Sequence, residues 1–81
     1  MTQAEALIRA ERERQEAKWG EQNHDDLKWL AILTEEVGEL AQAILEGNAS
    51  GIKVERIQVA AVAVAWMECA DRREQKKEGW R

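Results

Sequence analysis

The chain has no proline, phenylalanine or tyrosine, and one cysteine among its 81 residues. Without proline nothing forces a helix to stop, and five glycines give few interruptions, so long helices are favoured. The lone Cys69 excludes an intrachain disulfide. It lies in a helical pattern and reads as a small packing residue rather than a nucleophile. The longest apolar run, 59–67, is too short to span a bilayer. The N-terminus lacks the basic-then-apolar pattern of a signal peptide. The expectation is a cytoplasmic protein with no membrane partner. A net charge of −4 argues against nucleic acid as a partner. It leaves a small anionic substrate open, because a bound metal inverts the local field. There is no internal repeat, no glycine-rich phosphate loop and no Ser/His/Asp set.

What is present is charge and helical periodicity, enough for one domain over 1–81. A first helix is predicted over about 2–19, with Thr2 and Glu5 as a capping box. Its apolar side is thin: Ala4, Leu7 and Ile8 give way to Glu11, Gln15 and Lys18 on the same face. This suggests a lid, or a helix ordered by a partner chain. Asp25 and Asp26 are N-cap candidates for a second helix over about 26–46. Residues 48–51 read as a turn, short enough to make its neighbours antiparallel. A third helix over about 52–77 is apolar nearly all round, so it should be central. Glu68 interrupts one of its faces, either pairing across a dimer or marking where the bundle becomes wet. Trp80 lies past the pattern, to dock or fray. The fold expected is all-α: a helical hairpin plus an N-terminal helix, completed as a four-helix-bundle core by homo-oligomerisation, since so short a chain buries a modest core alone.

Between the first two helices lies Lys18-Trp19-Gly20-Glu21-Gln22-Asn23-His24. Two readings stay open. One is a ligand-binding strip; the other is a helix-ending turn with Trp19 plugging the core. His24 is either a metal ligand or a turn residue.

The second helix carries Glu35-Glu36-Val37-Gly38-Glu39. Residues three and four apart share a helical face, so Glu36 and Glu39 point the same way, with Glu35 one step round. Glu36 lies within the edge of the apolar stripe of Trp29, Leu30, Leu33, Val37, Leu40 and Ile44. Glu55 and Gln58 repeat the anomaly beside Val59 and Val62. A carboxylate in apolar surroundings is costly unless paired or bound to a cation, and carboxylate oxygens suit a hard ion such as Mg²⁺. Spacing alone fits a metal site and a buried carboxylate network equally.

Glu35-Glu36-x-x-Glu39 followed by Glu55-x-x-Gln58 resembles the signature of the all-α, MazG-like nucleoside triphosphate pyrophosphohydrolases. The loop string above, Trp29-Leu30-Ala31-Ile32-Leu33, and the 58–66 string QVAAVAVAW are similar to short single-domain members of phage and mobile-element type. The similarity covers roughly residues 15–73. It implies a Mg²⁺-dependent enzyme, with Mn²⁺ a substitute, cleaving a nucleoside triphosphate to monophosphate and pyrophosphate in nucleotide-pool housecleaning. It also implies a homodimer or a dimer-of-dimers tetramer. By position, Glu36, Glu39, Glu55 and Gln58 would hold the metal, and Glu35 would orient or deprotonate the attacking water. Lys18 would hold phosphate, and Trp19, Asn23, His24 and Trp29 would line the base pocket. The family's second motif ends in aspartate where this chain has Gln58. The alternative this raises is a non-catalytic helical oligomer that binds nucleotide or metal without turnover.

Overall fold

The computed structural model describes residues 1–79, with side chains for 1–76; the expectation for Trp80 lies outside the described residues. Three helices make up the fold: α1 (Gln3–Trp19), α2 (Asp26–Leu45) and α3 (Ala49–Gly79). No strand occurs among the described residues, and none of the helices is long and apolar enough to cross a membrane.

Local chemistry sets the ends. Thr2 and Glu5 form the capping box, the Thr2 hydroxyl accepting from the Glu5 amide at 3.1 Å and Glu5 accepting from the Thr2 amide at 3.2 Å. Asp25 caps α2 by accepting from the Lys28 amide at 2.9 Å. Gly20 ends α1 and Gly47 ends α2, both at positive φ, where a Cβ would be strained. At Gly47 the amides of Gly47 and Asn48 bond back to Ile44 and Ala43, a Schellman closure.

One boundary differs from expectation. Residues 49–51 are not a turn but the first turn of α3. Asn48 is the cap, its side-chain oxygen accepting from the Gly51 amide at 3.0 Å. Gly51 suits that cap, because a Cβ there would lie 2.6 Å from the Asn48 side-chain nitrogen. The Gly and Asn read as loop residues are a stop signal and a start signal placed back to back.

α3 is central. α2 packs along one side of it and α1 along another, and α1 and α2 make no close backbone approach among the described residues. The core lies between α2 and α3: Trp29, only 2 % exposed, packs with Val62, Ala65 and Cys69, flanked by Ile32, Leu33 and Trp66. Alanines at 61 and 65 let the backbones close in. Cys69 is buried as expected, and its thiol donates to the His24 carbonyl at 3.6 Å. The indole N–H of Trp66 reaches Asp26 at 3.0 Å, tying the start of α2 to α3.

α1 is held differently, by a polar clamp more than by apolar contact. The Arg12 guanidinium donates to Glu68 at 2.8 and 3.0 Å and pairs with Glu16 at 2.7 Å. Glu68 thus has its partner within the chain.

The α2 stripe splits into two rows. Trp29, Leu33, Glu36, Leu40 and Ala43 run along the buried and half-buried side. Leu27, Leu30, Val37 and Ile44 are exposed, at 77, 49, 48 and 56 %. The Cα radius of gyration is 14.4 Å, against about 12 Å for a compact chain of this length.

Candidate metal centre

The inward row of α2 carries Glu36 at a position where its neighbours in the row are apolar. One turn on, Glu39 projects beside it. Glu55, in the second turn of α3, meets them from across the hairpin. One carboxylate oxygen from each of Glu36, Glu39 and Glu55 lies within 4.8 Å of the other two. Glu36 and Glu55 are half-buried and Glu39 is exposed, so the trio opens to solvent on one side.

The electrostatics are unbalanced. An Oε2 atom of Glu36 and one of Glu55 are buried without a hydrogen-bond partner. Among the described residues no Arg, Lys or His lies within salt-bridge range of any of the three. Burial, then the Glu39 charge and the neighbouring Glu55 and Glu35 carboxyls, push the Glu36 carboxyl up to about 7. A buried acceptor left unpaired costs about 1–3 kcal/mol, and more when charged. The trio is therefore under tension that either a proton or a cation relieves. Three oxygen donors with an open side fit a hard divalent ion, which keeps several waters and takes further oxygens from a ligand.

Glu35 is exposed, one turn from Glu39 on the helix and at the open rim of the trio. Gln58, one turn on from Glu55, is tied to α1: its Oε1 accepts from Gln15 Nε2 at 3.2 Å. Gln15 also donates to Glu11 at 3.1 Å, and Arg14 grips Glu11 at 2.7 and 2.9 Å, which holds its carboxyl down at about 2. Gln15, 8 % exposed, is a buried polar residue of α1. Sequence reading noted Glu11 and Gln15 only as polar residues thinning the α1 face. Their continuing the row of Ala4, Leu7 and Ile8 was the available signal.

The five residues expected to hold substrate fall into local pairs. Trp29 is in the core, edge-on to His24 at 4.9 Å. Trp19 is 52 % exposed and does not plug the core; Lys18 lies 4.8 Å from its ring centre. Asn23 accepts from Arg72 at 3.0 Å and donates to Glu21 at 3.1 Å. Asn23 and His24 line an open groove of about 750 Å³ with Cys69, Arg72, Arg73 and Lys76. Cys69 is fourteen residues beyond Glu55 on α3, about 21 Å along the helix. Within one chain, this groove is separate from the acidic trio.

Comparison with protein-family models, curated proteins and solved structures finds no match, so the chemistry of this site has to be read from its own geometry.

Proposed function

We propose that the chain is a Mg²⁺-dependent nucleoside triphosphate pyrophosphohydrolase of MazG-like type, acting as a homo-oligomer in nucleotide-pool housecleaning. The observation that carries the reading is the acidic trio: three carboxylates from two helices, two of their oxygens buried and unpartnered, with no compensating cation. The reaction class comes from the motif resemblance.

Glu36, Glu39 and Glu55 are the residues to hold the ion, Mg²⁺ or in its place Mn²⁺. Once bound, the ion would neutralise phosphate oxygens and polarise the phosphorus towards water. Glu35, at the wet rim, orients the attacking water and accepts its proton. Water adds to phosphorus, the phosphoanhydride bond breaks, and pyrophosphate leaves. Lys18 stands on the α1 face that carries Glu11 and Gln15, about 10 Å beyond Glu11 along the helix. In this reading its ammonium, which lies over the Trp19 ring, would swing to meet the phosphate end of a ligand reaching from the trio.

The oligomer rests on surface. The chain exposes 6058 Å², whereas a compact monomer of this mass exposes about 5,000 Å². The excess is of the order of one side of a standard interface, about 800 Å². The outward row of Leu27, Leu30, Val37 and Ile44 is spaced like a coiled-coil seam. A second hairpin packed there would give a four-helix core, as a dimer or within a tetramer.

The test is pyrophosphate release from ribo-, deoxy- and modified nucleoside triphosphates, with Mg²⁺, with Mn²⁺ and with chelator. Metal-dependent release with monophosphate as co-product, lost in Glu36→Gln, is expected. The engagement of Gln58 by α1 favours a second reading, a non-catalytic oligomer that binds metal or nucleotide. No release from any triphosphate by a folded protein that still binds Mg²⁺ would establish that reading instead.

A further inference from the structure

Glu55 and Gln58 sit one turn apart on α3, yet they serve different neighbours. Glu55 meets Glu36 and Glu39 of α2. Gln58 meets Gln15 of α1, which also donates to Glu11. α1 and α2 make no close backbone approach to each other, so this turn of α3 is what joins the two sets of residues. On α1 the face that begins with Ala4, Leu7 and Ile8 turns polar at Glu11 and Gln15. At its centre Gln15 is buried and fully engaged: its amide donates to Gln58 and to Glu11 at 3.2 and 3.1 Å, and its carbonyl accepts from Arg12 at 2.8 Å.

We propose that Gln15 is a positioning residue of the acidic site, holding Gln58 in place one turn from Glu55, beside the carboxylates that would bind the metal. The inference rests on the functional reading above. Three observations carry it. First, an apolar side chain at 15 would stabilise the α1–α3 contact better than a buried amide, which gains little net from its hydrogen bonds. A buried amide here serves orientation. Second, the bond from Gln15 occupies the Gln58 oxygen, so it sets which edge of that amide accepts and which is left to donate, one turn from Glu55. Third, Arg12 ties α1 directly to Glu68 of α3, so docking of the helix does not rest on Gln15 alone. A substrate oxygen that approaches the trio along α1 meets the edge that Gln15 has oriented.

The test compares Gln15→Met, Gln58→Met, the double variant, and Glu68→Gln as a docking control. Two quantities are read: kcat and KM for pyrophosphate release, and the Mg²⁺ concentration at the midpoint of thermal stabilisation. Gln15→Met is expected to lower kcat about tenfold with KM moving little, as a misplaced group does, and to shift the Mg²⁺ midpoint. Gln58→Met should do the same, and the double variant should be no worse than Gln58→Met alone. Glu68→Gln should leave both quantities at parent values. In the parent, Mn²⁺ should broaden the side-chain amide signals of Gln58 and Gln15 before those of Gln22 and Gln75, a readout that needs no variant to fold. Parent-like kcat and midpoint in a folded Gln15→Met, losses that simply multiply in the double variant, or unbroadened Gln58 signals would each overturn the positioning role. A parent that binds Mg²⁺ without turnover would overturn the catalytic reading alone, and the midpoint and broadening would then decide Gln15. A parent that binds neither ion would overturn both.

Discussion

Removing one charge from the acidic trio should make the metal-free protein more stable, and the effect should depend on pH in a defined direction. Glu36 is held at about 7 in the fold against 4.5 in a free chain. Between those values the native state holds a proton that the unfolded state has lost. Stability must therefore fall as pH rises from about 4.5 to 7, and the deficit is complete above 7. At 1.36 kcal/mol for each tenfold change in proton affinity, the fold gives up about 3 kcal/mol when Glu36 ionises. Half-burial of the side chain trims this to about 2–3 kcal/mol. Glu36→Gln keeps the shape and removes the charge. The variant should match the parent near pH 4 and exceed it by about that amount at pH 8 in chelator.

The assay is urea or thermal unfolding from pH 4 to 8.5 at fixed protein concentration, since oligomers melt at concentration-dependent temperatures. Adding Mg²⁺ at pH 8 should reverse the order: the parent gains stability in proportion to site occupancy and the variant does not. A parent whose stability is flat or rising between pH 4.5 and 7, with Glu36→Gln no better at pH 8, would refute the claim that uncompensated negative charge is concentrated at this site.

Glu39→Gln and Glu55→Gln should each weaken the Mg²⁺-induced rise in melting temperature at pH 8 at least tenfold in midpoint, roughly the loss of one strong oxygen ligand; an unchanged midpoint would remove that residue from the site. Val37→Glu, a charge in the middle of the exposed α2 row, should shift the mass seen by light scattering from oligomer to monomer, and a parent already monomeric at high concentration would sink the oligomer proposal. Glu11 is held at about 2, the opposite direction from Glu36, so its contribution is present above about 4.5 and is lost as pH falls towards 2. Glu11→Gln should remove about 1–3 kcal/mol at pH 7 and none at pH 2, as measured by unfolding at the two pH values. Asn48→Ala should cost about 1 kcal/mol through loss of the α3 cap, read as an earlier urea midpoint with unchanged slope.

Periodicity made the helices and the centrality of α3 legible, because a helix apolar on both sides needs a neighbour on each. It did not separate the two rows of α2. Trp29 and Leu30 are adjacent in sequence and about 100° apart on the helix, so a broad apolar stripe merges what packing divides. The Trp29 row faces α3 and the Leu30 row faces solvent. Glu36 was readable as an anomaly because it sits in the inward row, and Glu39 and Glu55 followed from spacing. The α1 contribution was not readable. Gln15 and Gln58 are 43 residues apart, and neither carries a local sign that it will be buried against the other. The contacts of the loop strip were not legible either. Lys18 to His24 is continuous in sequence, but past Gly20 the chain sends Asn23 to Arg72 and His24 to Trp29.

An amide rather than a carboxylate at 58 has a physical consequence for α1. An aspartate at 58 would bring a fourth negative charge into a site that already pushes Glu36 up to about 7, and would set it beside Glu11. Repulsion from Glu11 would loosen α1 at the point where Gln15 is buried. An amide offers an acceptor to Gln15 without adding charge, so it joins α1 to α3 where an acid would set a further negative charge near Glu11. A Gln58→Asp variant tests this: it should melt earlier in chelator and expose α1 to faster amide hydrogen exchange over residues 8–18, whereas unchanged exchange would show that the α1 contact does not depend on the amide.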